Sequence, residues 1–273
     1  MKFVCPKCYG KLNIKESGTA VCDKGHSYDR SRYGYYNLLL TSTGGVHGDN
    51  REMVDARRAF LDTGAYSPLA DKLSELALRH ITDGGIFLDI GCGEGYYTER
   101  IMNALSSSGK SIDAIAFDIS KDAVKYSARK CKSATVAVAS AYKMPIADGS
   151  VDLAVNVFSP LAREETHRVL KRGGKFIMAI PERRHLFGLK SVLYKTPYEN
   201  EVDDTALEGF SLVATERVAY KITLTDKKSI SDLFMMTPYA YRTPKAAREG
   251  LTLMESLTTE IEFIVFVYEK NMA

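Results

Sequence analysis

Residues 88–95 read Leu88-Asp89-Ile90-Gly91-Cys92-Gly93-Glu94-Gly95, a short apolar strand that runs into a loop with glycine at every second position. Glycine removes the side chain where a strand turns sharply and where backbone must approach a ligand. Ile86 and Phe87 extend the strand upstream, and Tyr96 to Leu105 has helical character downstream. A glycine-rich turn from strand to helix is how an open α/β sheet holds a nucleotide-like ligand. The spacing departs from the dinucleotide fingerprint G-x-G-x-x-G, because the third glycine comes one residue early. An isolated motif of this length also fits a tight structural turn, so the rest of the chain has to decide.

From Ile86 onward strands and helices alternate, which predicts a parallel, doubly wound sheet. The expected strands are 86–90, 114–117, 135–139, 153–158 and 175–180, followed by edge strands near 212–223 and 260–268. Helical spacing of apolar residues covers 51–61 and 68–81, and Pro68 suits a first helical position. Further helical stretches are expected near 227–236 and 244–257. Ligands of such sheets bind outside the carboxyl ends of the strands, and the chemically distinctive residues fall there. The second strand ends in Asp118, an acid suited to two ribose hydroxyls, and Ser120 can cap the next helix. The third ends in Ser140-Ala141, with Tyr142–Pro145 suited to flank an adenine ring. The fourth ends in Asn156-Val157-Phe158-Ser159-Pro160, and the fifth in Pro181-Glu182-Arg183-Arg184-His185.

The chain of 273 residues has 45% hydrophobic and 26% charged residues, an ordinary globular composition with room for one large domain and a small appendage. No apolar run approaches the length of a membrane span, and MKFVCPKC lacks the apolar core of a signal peptide, so a cytoplasmic location is expected. The formal charge of +3 is unevenly spread: residues 1–48 carry seven Lys/Arg against three acidic residues, so the basic excess lies there. A basic module on a near-neutral body points to a polyanionic partner, nucleic acid first. Three of the five cysteines fall within the first 22 residues, in the pattern Cys5-x2-Cys8-x13-Cys22-x3-His26. Two ligand pairs separated by a hairpin-length spacer place three thiolates and an imidazole at the corners of a tetrahedron, a structural zinc site with no open position. Lys11–Ile14 and Thr19–Val21 are candidate strands around Glu16-Ser17-Gly18, so a zinc ribbon is expected, with metal supplying what so small a core cannot. In Tyr28–Asn37, tyrosines interleave with Arg30 and Arg32. They suit base stacking and phosphate contact, or equally packing of the ribbon onto its neighbour. The glycine-rich Thr41–Gly48 reads as a linker or loop. The expected division is a ribbon at 1–40, a linker at 41–50 and a large α/β domain at 51–273.

Taken together, these segments resemble a known family. Asp89 two residues before the first glycine is similar to the first motif of S-adenosylmethionine (SAM) methyltransferases. The CPKC…CDKGH ribbon, YGYYNLL at 33–39, GDNREMVDARRAFLDTGAYSPL at 48–69, PERRHLFGLKSVLY at 181–194 and MTPYAYR at 236–242 resemble the 23S rRNA (guanine-N1)-methyltransferases. Those enzymes act on the helix-35 region of large-subunit RNA, near the exit tunnel where macrolides bind. The resemblance implies a Rossmann-like methyltransferase sheet with a small N-terminal zinc-ribbon domain, and zinc on Cys5, Cys8, Cys22 and His26. It implies SAM contacts at Tyr66, Gly93, Glu94 and His185, beside Asp89, Gly91, Gly95, Asp118 and Ser140 at the strand ends. It further implies a homodimer with a basic cleft for 23S rRNA between ribbon and catalytic domain.

Methyl transfer from a sulfonium is an in-line displacement in which protein chiefly aligns donor and acceptor. Guanine N1 must also lose a proton, so an acceptor for it, or a donor at O6, would help. Asn156, Phe158, Ser159 and Pro160 are the residues expected to hold and stack the target base. Two other readings share the sheet and loop: a methyltransferase of small metabolites, and a non-catalytic RNA-binding protein with a relict methyltransferase fold. The first leaves the basic ribbon unexplained; the second leaves the intact loop and Asp118 unexplained.

Overall fold

The computed structural model describes residues 2–40, 48–202 and 206–272. At the N-terminus, β1 (Leu12–Ile14), β2 (Ala20–Cys22) and β3 (Ser27–Tyr28) form a small antiparallel sheet. Next come β4 (Tyr36–Asn37), α1 (Arg51–Asp62), α2 (Ser67–His80), β5 (Ile86–Ile90), α3 (Tyr96–Ser107), β6 (Asp113–Asp118), α4 (Lys121–Lys130) and β7 (Ala134–Val138). The second half holds β8 (Val151–Val157), α5 (Arg163–Val169), β9 (Leu170–Pro181), α6 (Phe187–Leu193), β10 (Phe210–Leu224), α7 (Lys227–Met235), α8 (Tyr239–Arg242), α9 (Lys245–Thr252) and β11 (Leu257–Lys270).

The large sheet has eight strands in the order β10-β11-β9-β8-β5-β6-β7-β4. β5 lies between β6 and β8, parallel to both, so the strand order reverses at its carboxyl end. That reversal opens the crevice where open α/β sheets bind ligands, and the glycine loop leaves β5 there. β5 has Phe87, Leu88 and Ile90 fully buried, as a central parallel strand covered on both faces requires. One expectation needs correction. The segment near 260–268 is no edge strand: β11 runs antiparallel between β9 and β10. Ile261, Phe263, Val265 and Val267 are each fully buried, which suits an interior strand. β10, mostly exposed along its length, forms the edge.

The N-terminal sheet is fused to the large one. Tyr36 and Asn37 of β4 pair in parallel with Ala137 and Val138, extending the large sheet by one edge strand. Phe3 bridges to Ile146, and the Val4 N–H donates to the Pro145 carbonyl at 2.8 Å. Phe3, Leu12, Ala20 and Cys22 belong to the same buried cluster as Leu88, Ile115 and Phe117. Of the tyrosines between 28 and 37, Tyr35 and Tyr36 are buried, so for them the packing alternative holds. Tyr33 instead lies near the surface, with Arg32 and Arg129 guanidinium groups 4.8 and 4.5 Å from its ring centre.

Residues 41–47 of the expected linker lie outside the described residues. The three that follow are docked. A Cβ at Gly48 would come within 2.8 Å of Ile119 Cγ2 and the Ser120 nitrogen, so glycine is needed for this approach. Ser120 Oγ donates to the Asp49 carbonyl at 2.6 Å, and Asn50 caps α1 by accepting the Met53 N–H at 3.0 Å.

Because the two sheets share one core, Phe3→Ala is expected to cost about 3–5 kcal/mol, in line with emptying a buried phenylalanine site. Urea unfolding followed both by tyrosine fluorescence and by far-UV dichroism should show one shifted transition. A separate ribbon transition that leaves the rest at wild-type stability would contradict the shared core.

Candidate active site and metal centre

Cys5, Cys8, Cys22 and His26 bring their ligand atoms within 4.8 Å of one another. Cys8 Sγ lies 3.7 Å from Cys22 Sγ, and His26 Nδ1 lies 3.4 Å from both Cys5 Sγ and Cys22 Sγ. Four ligands around a tetrahedral zinc, with Zn–S about 2.3 Å and Zn–N about 2.0–2.1 Å, stand roughly 3.5–3.8 Å apart. The donor set therefore fits that ion in kind and spacing. The Tyr28 hydroxyl, 3.3 Å from Cys5 Sγ, adds an outer contact of the sort that orients a thiolate.

At the carboxyl end of β5 all three loop glycines have positive φ: 76° at Gly91, 54° at Gly93 and 89° at Gly95. A Cβ at Gly91 would stand 2.2 Å from Ser159 Oγ, so this glycine lets the β8 loop close on the β5 loop. A Cβ at Gly95 would meet Cys131 Sγ at 2.7 Å, where the first turn of α3 passes α4. Two buried acids fix the loop between them. Asp89 accepts the Thr98 hydroxyl at 2.6 Å, tying β5 to α3. Asp118 accepts the Gly93 N–H at 2.9 Å and the Ser120 N–H at 2.7 Å, tying the loop to the end of β6. Burial pushes the Asp89 carboxyl up to about 7 and raises Asp118 and Glu94 as well.

Above the loop lies a residue to which the sequence reading gave no role. Arg57 of α1 pairs with Asp49 at 2.5 Å, and its charge also reaches Glu94 and Asp118. It shields a cluster of buried carboxylates. Glu94 is 4% exposed, yet its Oε2 has no hydrogen-bond partner, an oxygen that calls for a donor from a bound molecule.

Tyr66, at the start of α2, and His185, after β9, are 119 residues apart yet meet in the core, with Tyr66 Oη 3.2 Å from His185 Nε2. His185 Nδ1 accepts the Glu262 backbone N–H at 3.2 Å. Burial holds the imidazole neutral by lowering its pKa to about 3. With Nδ1 accepting, the hydrogen sits on Nε2 and is donated to Tyr66. The Tyr66 hydroxyl is then left with its own hydrogen to give.

The β8 loop carries the residues expected to position a target base. Phe158 has φ 55°, a conformation uncommon for an aromatic residue, and the residue is 41% exposed. It packs 5.1 Å from the Phe263 ring and 6.3 Å from Tyr97. The Asn156 amide is buried and donates at 3.4 Å to the Pro160 carbonyl, bracing its own loop. Ser159 lies against Gly91, and Pro160 is exposed. Ser140 at the end of β7 accepts the Tyr142 N–H at 3.2 Å, and the Tyr142 ring is exposed. Thus Asp89, the loop glycines, Glu94 and Asp118 form one cluster, Tyr66, His185 and Phe158 a second joined through Phe263, while Ser140 lies at the next strand end. Arg57, Asp49, Tyr97 and Phe263 are the members missed. Arg57, Tyr97 and Phe263 sit within ordinary helical or strand patterns and Asp49 within the expected linker, and only the chain's return over the loop brings them together.

Known proteins resemble both parts of the chain. Residues 88–178 match the family model of a methyltransferase domain, and residues 3–41 match the model described as "RlmA, N-terminal". The 23S rRNA (guanine(748)-N(1))-methyltransferase of Streptomyces fradiae is 31% identical over 244 residues, 87% of this chain and 85% of that protein. YxjB of Bacillus subtilis, provisionally named a 23S rRNA (guanine-N(1))-methyltransferase, is 31% identical over 278 residues, 96% of each chain. Among solved structures, the [4+2]-cyclase SpnF is similar at TM-score 0.53 and 17% identity, over 84% of this chain and 98% of that one. A Bacillus halodurans protein provisionally named a methyltransferase gives TM-score 0.50 at 14% identity, over 74% and 99%. These structures share the fold; a cyclase among them illustrates that fold alone does not set chemistry.

Two of the shifted groups act on stability in opposite directions. Asp89 titrates near its ordinary 3.8 when unfolded and near 7 in the fold. Its stabilising contribution is complete below about 4 and is lost as pH rises through 7. His185 titrates near 6.5 unfolded and about 3 folded. Its contribution is present above 6.5 and is lost as pH falls through 3. Relative to wild type, Asp89→Asn should therefore gain thermal stability as pH rises from about 4 to 7. His185→Gln should gain as pH falls from about 6.5 toward 3. Melting temperatures of the ligand-free proteins across that range check both signs, and variant curves parallel to wild type would contradict them.

Proposed function

Since the chain belongs to the family of 23S rRNA (guanine-N1)-methyltransferases, we propose that it transfers a methyl group from SAM to N1 of a guanine in 23S rRNA. As a SAM-dependent methyltransferase with a zinc ribbon, it uses SAM as methyl source and zinc as a structural ion. The proposed target region is helix 35, near the macrolide-binding exit tunnel, and the proposed assembly is a homodimer. The observation that carries the reading is the fusion of a Cys3His cluster to a methyltransferase sheet through one core. A small-metabolite methyltransferase has no use for that basic module, whereas an RNA substrate is a polyanion.

In this reading Cys5, Cys8, Cys22 and His26 hold the zinc. Asp118 accepts from the ribose hydroxyls with lone pairs that its two backbone donors leave free. Gly91, Gly93 and Gly95 let the backbone approach the methyl donor, and Asp89 keeps the loop in that shape through Thr98. The orphaned Glu94 Oε2 accepts from the donor's polar hydrogens, and the Tyr66 hydroxyl, fixed by His185, donates to the donor's acceptors. Ser140 borders the adenine. SAM supplies an electrophilic methyl group. Phe158 offers a ring on which the guanine stacks, supported by Asn156, Ser159 and Pro160. A paired guanine first leaves its stack to reach that ring.

Incubation with radiolabelled SAM and unmodified large-subunit RNA should place label on guanine N1. Label on a small metabolite, or none, would reverse the reading. Gly93→Arg and Asp118→Ala should each abolish measurable SAM binding by calorimetry while zinc stays near one ion per chain. SAM affinity equal to wild type in both variants would remove the assignment of this pocket.

A further inference from the structure

One polar group at the site has no use in the account above. Tyr97, the second residue of α3, has a partly buried ring, and its hydroxyl oxygen is buried without a hydrogen-bond partner. A buried hydroxyl left unmatched is costly, and native structures keep few of them. Its ring packs edge-on against Tyr96, with centroids 5.0 Å apart, and against Phe158 at 6.3 Å with an interplanar angle of 76°. Burial raises its pKa well above the usual phenol value, and Tyr66, Tyr96, Glu94 and Tyr220 add to that effect. The group therefore stays protonated at any working pH. It is an unmatched hydrogen-bond donor on a ring that packs against Phe158.

The position narrows what it can donate to. Tyr97 touches both halves of the site: it follows the glycine loop by two residues, and it abuts the strained Phe158 of the β8 loop. The Tyr97 plane stands at 76° to the Phe158 ring, so a base lying flat on Phe158 would also lie steeply to Tyr97. Nearby Glu94 makes the place poor for a second carboxylate, so a carbonyl oxygen suits the vacant donor better than the carboxyl end of the methyl donor does. Guanine presents a carbonyl at position 6, beside N1; adenine presents an amino group there, which would set donor against donor.

We propose that the Tyr97 hydroxyl holds O6 of the target guanine and thereby selects guanine against adenine. This inference rests on the guanine-N1 reading above. During transfer N1 gains the methyl carbon as the carbon–sulfur bond breaks, sulfur keeps that bond's electron pair, and the N1 proton passes to water. Negative charge that builds on O6 as N1 is deprotonated meets the Tyr97 hydrogen, which stays on the phenol throughout.

The test uses full-length protein, SAM, and a large-subunit RNA fragment carrying guanine or 6-thioguanine at the methylated position. Tyr97→Phe removes only the unmatched hydroxyl, so its melting temperature should equal or exceed that of wild type, and its SAM affinity should stay within about twofold. Its kcat/KM on guanine RNA should fall about 10- to 100-fold, the scale of one hydrogen bond made in the transition state. The thio substitution, which weakens the acceptor, should slow wild type severalfold and the variant scarcely at all, since a lost contact cannot be lost twice. Equal kcat/KM for variant and wild type, a tenfold loss of SAM affinity, or independent multiplication of the two effects would each overturn the inference. If wild type methylates no guanine, the underlying reading falls, and this inference with it. If wild type methylates guanine and Tyr97→Phe matches it, only the inference falls.

Discussion

The Asp118 carboxylate is the constraint on which the site depends. One oxygen takes the Gly93 N–H and the other the Ser120 N–H, so a single buried side chain holds the β5 loop and the end of β6 in one geometry. Ser120 passes the constraint on by donating to the Asp49 carbonyl, and Asp49 pairs with Arg57, whose guanidinium returns to the Glu94 and Asp118 charges. The circuit closes over the glycine loop. Buried carboxylates are unfavourable in isolation, and here backbone donors and one arginine offset that cost only in part. Raised pKa values at Asp89, Glu94 and Asp118 record what is left over, and a bound cation is the natural complement to such a cluster.

The second half of the site is built by a different force. Tyr97, Phe158, Phe263, Tyr66 and His185 form a chain of edge-on and tilted ring contacts spanning α3, the β8 loop, β11, α2 and the end of β9. Such contacts are apolar and rigid, and they let the polar atoms of Tyr97, Tyr66 and His185 be held without freedom to swing. One half is acidic and the other aromatic. The two adjoin where Gly91 lets Ser159 close against the loop.

The N-terminal ribbon completes the molecule and does not merely hang from it. Its β4 strand is part of the large sheet and its Phe3 part of the shared core, so the Cys3His cluster bears on the body's core as well as on its own small hairpins. A ribbon held in this way presents its basic residues at a fixed position relative to the site. Among the described residues no helix is long and apolar enough to cross a membrane.

The sequence by itself determined whatever depends on local geometry. Glycines at 91, 93 and 95 take left-handed backbone, short apolar runs alternating with helices mark the parallel strands, and paired cysteines at short spacing converge because a hairpin brings their ends together. Asp118 was legible because the carboxyl end of a strand is where such sheets bind ligands. Only the tertiary structure decided the rest. That β11 is interior follows from strand order, which adjacent residues do not encode. Tyr66 and His185 become one hydrogen-bonded pair across 119 positions, and Arg57 gains its role when α1 folds back over the loop. Tyr97 stands out only once its hydroxyl is seen buried and unmatched. Each of these is a property of two segments brought together, and no periodicity within either one carries it.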